Sequence, residues 1–221
     1  MGSKRLPGKV LKKIGNKTML GHLISRLGKI KYDTDNFVAT SLRPIDDPIE
    51  DFCKKLKINC FRGDHENVLK RYYDCAKKNK LKQILRLTGD DPFFDAEEID
   101  RLIDLHLCSN SDLTHSHPVL PFGVGAEIFT FEALEKSILT TKDPFHLEHV
   151  DEFILQNPGI FKISVLDVPV SKKRPDIRLT VDTEDDYKKA CFIVEKASRQ
   201  YITTQSAIEL AMAYERRIKT Q

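Results

Sequence analysis

No apolar run in this 221-residue chain approaches the roughly 20 residues needed to cross a bilayer, and no signal-peptide core is found near its start. No membrane partner is therefore expected, and the expected location is cytoplasmic. Cysteine is sparse and odd in number: Cys53, Cys60, Cys75, Cys108 and Cys191 are widely spread, with no CxxC pair. That spacing argues against a disulfide framework or a zinc site and predicts buried free thiols. The GxxxxGK[ST] spacing of a P-loop is missing, as are G-x-S-x-G, H-E-x-x-H and Cys/His dyad patterns. Acidic residues are missing from positions 1–32, which carry nine Lys/Arg, while the remainder carries 27 basic against 33 acidic residues, a net −6. A basic arm of this kind could bind nucleic acid. Here, though, the cations alternate with a Gly/Pro turn and an amphipathic helix, with few aromatics for base stacking. A small polyanion fits better, and no nucleic-acid partner is expected.

What is present is concentrated at the start. Gly2-Ser-Lys-Arg-Leu-Pro-Gly-Lys9 holds two glycines, a hydroxyl, three cations and a proline in eight residues. Glycine lets backbone approach a ligand closely and proline stiffens the turn. Backbone N–H groups, a serine hydroxyl and fixed Lys/Arg heads suit a polyphosphate. By itself the segment reads equally as a phosphate cradle or as a solvated basic loop.

Apolar spacing then predicts alternating strands and helices. A short strand is expected at 10–14 and a helix after Thr18, with Met19, Leu20, Leu23, Ile24 and Leu27 inward. A strand at 36–41 precedes a helix at 44–57 with Ile45, Ile49, Phe52, Cys53 and Leu56 inward. Further strands are expected at 58–61 and 83–87, and helices at 66–78 and from Asp95 to about Leu107. Beyond this the pattern predicts strands at 112–117, 126–129, 161–168 and 178–181, with a Pro/Gly loop at 118–125. Helices are expected at 131–138, 143–156, 183–197 and 203–218. Such alternation predicts an α/β, Rossmann-like, mostly parallel mixed sheet with helices on both faces and ligands at the carboxyl ends of the strands.

Ser3-Lys-Arg-Leu-Pro-Gly-Lys9 resembles the signature loop of the sugar-acid cytidylyltransferases. These are the CMP-Kdo and CMP-sialic acid synthetases and the spore-coat polysaccharide cytidylyltransferases, in which an Arg-x-x-S-x-R-L-P-G-K loop wraps the triphosphate of CTP. The likeness extends over most of the chain and is nearest to the spore-coat branch. In the family an apolar strand through the middle of the sheet precedes this loop, so the expectation is a further strand upstream of residue 1. The resemblance also implies a homodimer, and a single domain over 1–221 in which residues about 112–175 form a sugar-site and dimerisation excursion.

Two acidic turns carry the rest of the expected chemistry. Thr88-Gly-Asp90-Asp91-Pro92 follows a strand; alone it reads as a cap or solvated turn, but it resembles the family motif whose aspartate, here Asp90, holds the metal. Leu179-Thr-Val-Asp182-Thr-Glu-Asp-Asp186 opens a helix, and Asp182 alone reads as its N-terminal cap. It resembles the second metal-ligand motif, with Glu184 where proline is usual. Asp91 falls at a variable position and is not assigned. Ala39-Thr40-Ser41 resembles the strand end that reads the pyrimidine, and Arg86 could reach a phosphate or pair with a carboxylate. Val68, Leu69 and Tyr72 are core positions of a family-like helix. Pro121-Phe-Gly-Val-Gly-Ala-Glu-Ile-Phe129 resembles the sugar-site lining, without the aspartate usual in the spore-coat branch. His146 and His149 have the spacing of a metal pair but no third ligand beside them.

The expected function is Mg²⁺-dependent transfer of CMP from CTP to a sugar acid. Gly2, Ser3, Arg5, Lys9, Ala39, Thr40, Ser41 and Arg86 would bind the nucleotide. Arg5 and Lys9 would neutralise the β- and γ-phosphates, and Asp90 and Asp182 would hold the metal. A transferase for another nucleotide, or a non-catalytic nucleotide-binding protein, are the alternatives.

Overall fold

The computed structural model describes residues 1–117 and 119–220; Pro118, first residue of the expected Pro/Gly loop, lies outside them, as does Gln221. A 3₁₀ turn at Lys9–Leu11 leads into a hairpin of β1 (Lys13–Ile14) and β2 (Lys17–Thr18), and then α1 (Met19–Leu27). Next come β3 (Phe37–Ser41), a 3₁₀ turn at Pro44–Asp46, α2 (Asp47–Leu56), β4 (Asn59–Gly63), α3 (Val68–Asn79), β5 (Gln83–Arg86) and α4 (Ala96–Ser109). The second half adds β6 (Leu113–His115), β7 (Glu127–Thr130), α5 (Phe131–Thr140), α6 (Pro144–Glu148), α7 (Glu152–Leu155) and β8 (Ile163–Val165). After a 3₁₀ turn at Val170–Lys172, α8 (Glu184–Lys196) and α9 (Thr204–Lys219) follow.

The helix starts obey local side-chain chemistry. Thr18 accepts from the Gly21 amide, Asp95 from Glu97 and Glu98, Thr130 from Ala133, and Thr203 from Ser206, each satisfying an amide that the first turn leaves without an intrahelical partner. α2, α3 and α4 end on Lys57, Lys80 and Asn110 in the left-handed conformation.

The strands form a mixed α/β arrangement. β3 and β4 pair in parallel, and a four-stranded sheet runs β5-β7-β6-β8. In it β7 is antiparallel to both β5 and β6, whereas β6 and β8 are parallel. Alternation along the strands sends neighbouring residues to opposite faces. Leu85 and Ile128 join the core with α1, α4, α8 and α9, while Ile84 and Phe129 join the one with α3, α5 and α7. Helices therefore cover both faces.

Among the described residues β3 pairs only with β4, and β5 only with β7. Between them lies a cavity of about 610 Å³. Val38 and Ala39 line it from one side and Ile84 and Leu85 from the other, with Leu20, Leu23 and Ile24 of α1 beneath.

Several elements differ from the sequence reading. Residues 10–14 are not one strand: the left-handed Gly8 starts a 3₁₀ turn, and only Lys13–Ile14 extend, closing a hairpin through Gly15 at positive φ. In 44–57 the chain enters through a 3₁₀ turn, leaving Ile45 half-exposed, and Leu56 at the far end is equally open. Residues 143–156 break into α6 and α7, because His149 is extended and ends the first helix. Residues 178–181 are not a regular strand; among the described residues their one bridge joins Arg178 to Phe122, in the loop before β7 and outside the named strands.

Candidate active site

The site begins with how the N-terminal loop is held. Leu6 is buried in the main core, the Ser3 hydroxyl accepts from the Leu6 amide at 3.3 Å, and Gly8 turns the chain at φ +69°. This anchor and turn deliver Lys9 inward. Its ammonium lies 2.6 Å from Asp90 Oδ2 and 2.7 Å from Asp182 Oδ1. Arg5, largely exposed, reaches the same Asp182 oxygen at 3.2 Å. Gly2 and Ser3 flank the loop without contacting either carboxylate.

Two segments distant in sequence are thus joined. The tie extends to the backbone: the Val181 amide donates to the Asp90 carbonyl at 3.0 Å. The loop carrying Phe122 and Gly123 fixes the second segment. Phe122 donates to the Ile177 carbonyl at 2.8 Å and accepts from the Leu179 and Thr180 amides at 2.8 and 3.0 Å. Gly123 has φ +91°, and a Cβ there would sit 2.5 Å from the Thr180 nitrogen. Only glycine allows that approach.

Asp182 is not the cap of α8. Thr183 is: its hydroxyl accepts from the Asp186 amide while the Asp186 side chain returns to the Thr183 amide, a reciprocal capping box. The hydroxyl-bearing neighbour takes the capping role and leaves Asp182 free for the site. Arg178 then orients Asp182 by pairing with Oδ2, with its Nε held by Asp186 at 3.2 Å, so that Oδ1 faces Lys9.

The electrostatics follow. Burial disfavours the charge on Asp182, but Lys9, Arg178 and Arg5 outweigh it and hold the carboxyl below the usual aspartate value. Burial likewise opposes the Lys9 ammonium, and Asp90 and Asp182 hold its pKa above the usual lysine value. Both partners are charged at neutral pH. Asp91 differs: burial, with Asp90 beside it, pushes its carboxyl up to about 6, and its Oδ1 is buried without a partner among the described residues.

The other expected residues lie around this centre. Ala39, Thr40 and Ser41 end β3; Ala39 and Asp90 line the same central cavity, and Ser41 donates to Asp46, which also holds the Met1 ammonium. Arg86 pairs with buried Glu127 and approaches Asp151 at 3.9 Å, while its Nε has no partner among the described residues. His117 completes the group at 3.2 Å from Glu127. His146 bonds Thr141 and Gln156.

The sequence reading did not foresee Arg71 or the Glu127 cluster. Arg71 packs on Gly63 at the end of β4 and lines the cavity with Ala39 and Asp90, its Nε buried and unpartnered among the described residues. Its signal is the cation between the apolar positions of Val68-Leu-Lys-Arg-Tyr72.

The sequence matches the model of the family described as Cytidylyltransferase over residues 1–215. The chain belongs to that family. It is similar to the spore coat polysaccharide biosynthesis protein SpsF of Bacillus subtilis, at 35% identity over 205 residues, spanning 90% of this chain and 85% of the relative. Its fold is similar to that of a cytidylyltransferase from Leptospira borgpetersenii, with a TM-score of 0.90 and 31% identity, covering 100% of this chain and 94% of the other. A CMP-2-keto-3-deoxy-manno-octonic acid synthetase complexed with CTP shares the fold, with a TM-score of 0.66 and 18% identity over 88% of this chain and 95% of the other. Membership gives the Lys9–Asp90–Asp182 cluster its context, since Ser3–Lys9 and both acidic turns fall within the matched residues. No described helix is long and apolar enough to cross a membrane.

Proposed function

We propose that this cytidylyltransferase transfers CMP from CTP to a hydroxyl of a sugar acid, releasing pyrophosphate, in the synthesis of a surface polysaccharide or glycoconjugate. The observation that carries the reading is the convergence of Lys9, Arg5, Asp90 and Asp182 at one point on the carboxyl edge of the strands. The sugar acid is supported by similarity to the 3-deoxy-manno-octulosonate cytidylyltransferase of Solibacter usitatus, 33% identical over 101 residues, 46% of this chain and 39% of that one, and the polysaccharide by the name of SpsF.

The acceptor oxygen attacks the α-phosphorus in line; its bond to phosphorus forms as the bond to the β-phosphate oxygen breaks. Pyrophosphate leaves with the electron pair, and the hydroxyl proton passes to solvent. Arg5 and Lys9 bind the β- and γ-phosphates and stabilise the charge that develops on the leaving group. Ala39, Thr40 and Ser41 face the pyrimidine, with Arg71 and Arg86 beside them. No covalent enzyme intermediate is required.

Asp90 and Asp182 fit a magnesium ion. Two carboxylates from separate turns meet at one cation, and both offer oxygen donors. Magnesium favours such sites, taking one or two carboxylates and completing its shell with phosphates and water. When bound it would withdraw charge from the phosphate oxygens. A homodimer in the cytoplasm, with neither nucleic acid nor membrane as partner, completes the proposal.

The test is pyrophosphate release from CTP, UTP and GTP across a panel of acidic sugars. Release with CTP alone and an acidic acceptor is expected. Preference for another nucleotide would reassign the substrate, and no release with any pair would leave a nucleotide-binding protein without transferase activity.

A further inference from the structure

Lys9 and a divalent cation need the same two oxygens. Asp90 Oδ2 and Asp182 Oδ1 lie 2.6 and 2.7 Å from one ammonium, whose side chain is only 14% exposed. Asp182 has no other oxygen to offer, because Oδ2 is taken by Arg178. Magnesium would need its oxygens at about 2.0–2.1 Å, and an ammonium cannot remain between carboxylates that close on a doubly charged ion. Resting on the reading of this cluster as a metal-dependent CTP site, we propose that Lys9 is a displaceable counter-ion. It holds Asp90 and Asp182 together in the nucleotide-free protein, the metal replaces it there, and the displaced ammonium is the one that engages the triphosphate.

The surroundings support the exchange. Lys9 stands at the start of a short 3₁₀ turn, and its long stem can swing while Leu6 stays anchored in the core. Charge explains why metal and nucleotide would arrive together. Lys9, Arg5 and Arg178 face Asp90, Asp182 and Asp186, and the buried Asp91 carboxyl lies beside Asp90. A divalent ion added to this nearly balanced set leaves it positive, which a triphosphate offsets.

Mn²⁺ binding to the nucleotide-free protein, followed through the electron paramagnetic resonance of free Mn²⁺, tests the proposal. Lys9→Ala, and Lys9→Gln, which keeps an N–H donor for one carboxylate, should each bind Mn²⁺ about tenfold more tightly than wild type. In the wild type, saturating Mg²⁺ should speed acylation of Lys9 by acetic anhydride, read by mass spectrometry. Equal or weaker Mn²⁺ binding by both variants, or acylation that stays flat while metal binds, overturns it. Asp182→Asn separates the layers. If it removes Mn²⁺ binding while the Lys9 variants gain nothing, only the displacement fails; if it leaves Mn²⁺ binding unchanged, the metal assignment fails as well.

Discussion

Gly123→Ala acts on the joint between the two carboxylate segments without touching either carboxylate. The new Cβ would meet the Thr180 nitrogen at 2.5 Å and its Cα at 2.7 Å, backbone atoms that cannot rotate away. At φ +91° the alanine also bears the left-handed penalty, about 1–2 kcal/mol. To relieve the clash, the 177–181 segment must move off Phe122, loosening up to three backbone hydrogen bonds worth about 1 kcal/mol each. The expected loss is roughly 3–5 kcal/mol, a large share of the 5–15 kcal/mol typical of a folded domain. At this chain length it lowers Tm by about 10 °C. Activity should fall further than stability requires, because Asp182 follows the displaced segment and a shift of about 1 Å can cost about 100-fold. Denaturant unfolding gives the first quantity, and kcat/KM at a temperature where the variant is fully folded gives the second. A variant within about 1 kcal/mol of wild type and equally active would refute the role of this joint.

Lys9→Ala should lower turnover roughly 10²- to 10³-fold, the scale for one preorganised donor at developing charge, with circular dichroism unchanged. Asp90→Asn and Asp182→Asn should each abolish Mg²⁺-dependent pyrophosphate release from folded protein, since amides replace carboxylates poorly on a hard cation; persistent turnover in either would remove that residue from the metal site. Burial works against charge on His117, but Glu127 raises its pKa above 6.5. Its contribution to stability is therefore complete below about 6.5 and is lost as pH rises through the higher folded value. The stability gap between wild type and His117→Gln should be widest near about pH 5.5 and close toward alkaline pH; a gap that widens with pH would contradict the pairing.

Much of this was legible in the sequence because its signals are local. Thr18, Asp95 and Thr203 each cap the helix expected after them, and the apolar spacing of 19–27 gives α1. Asp90 and Asp182, which alone read as a turn and a cap, could be named as metal-site candidates because each stands in a short motif that resembles one of the family's, and the fold brings them to one cation. What escaped depends on side chains meeting across the fold. Arg86 and Glu127 face each other only because β5 and β7 pair in a particular register, with Arg86 opposite Glu127. The capping of α8 by Thr183 was hidden by competition between adjacent residues that both can cap. The break between α6 and α7 depends on the extended backbone at His149, in a stretch that is otherwise helical in pattern.

Because the capping of α8 falls to Thr183 and Asp186, the start of that helix does not depend on the Asp182 carboxylate. The fold's local stability and the site's charge thus rest on adjacent but separate side chains. Asp182 can exchange one cationic partner for another without loosening the first turn behind it. Amide hydrogen exchange at the start of α8 should be the same in Asp182→Asn as in the wild type, whereas Thr183→Ala should speed it by removing the cap.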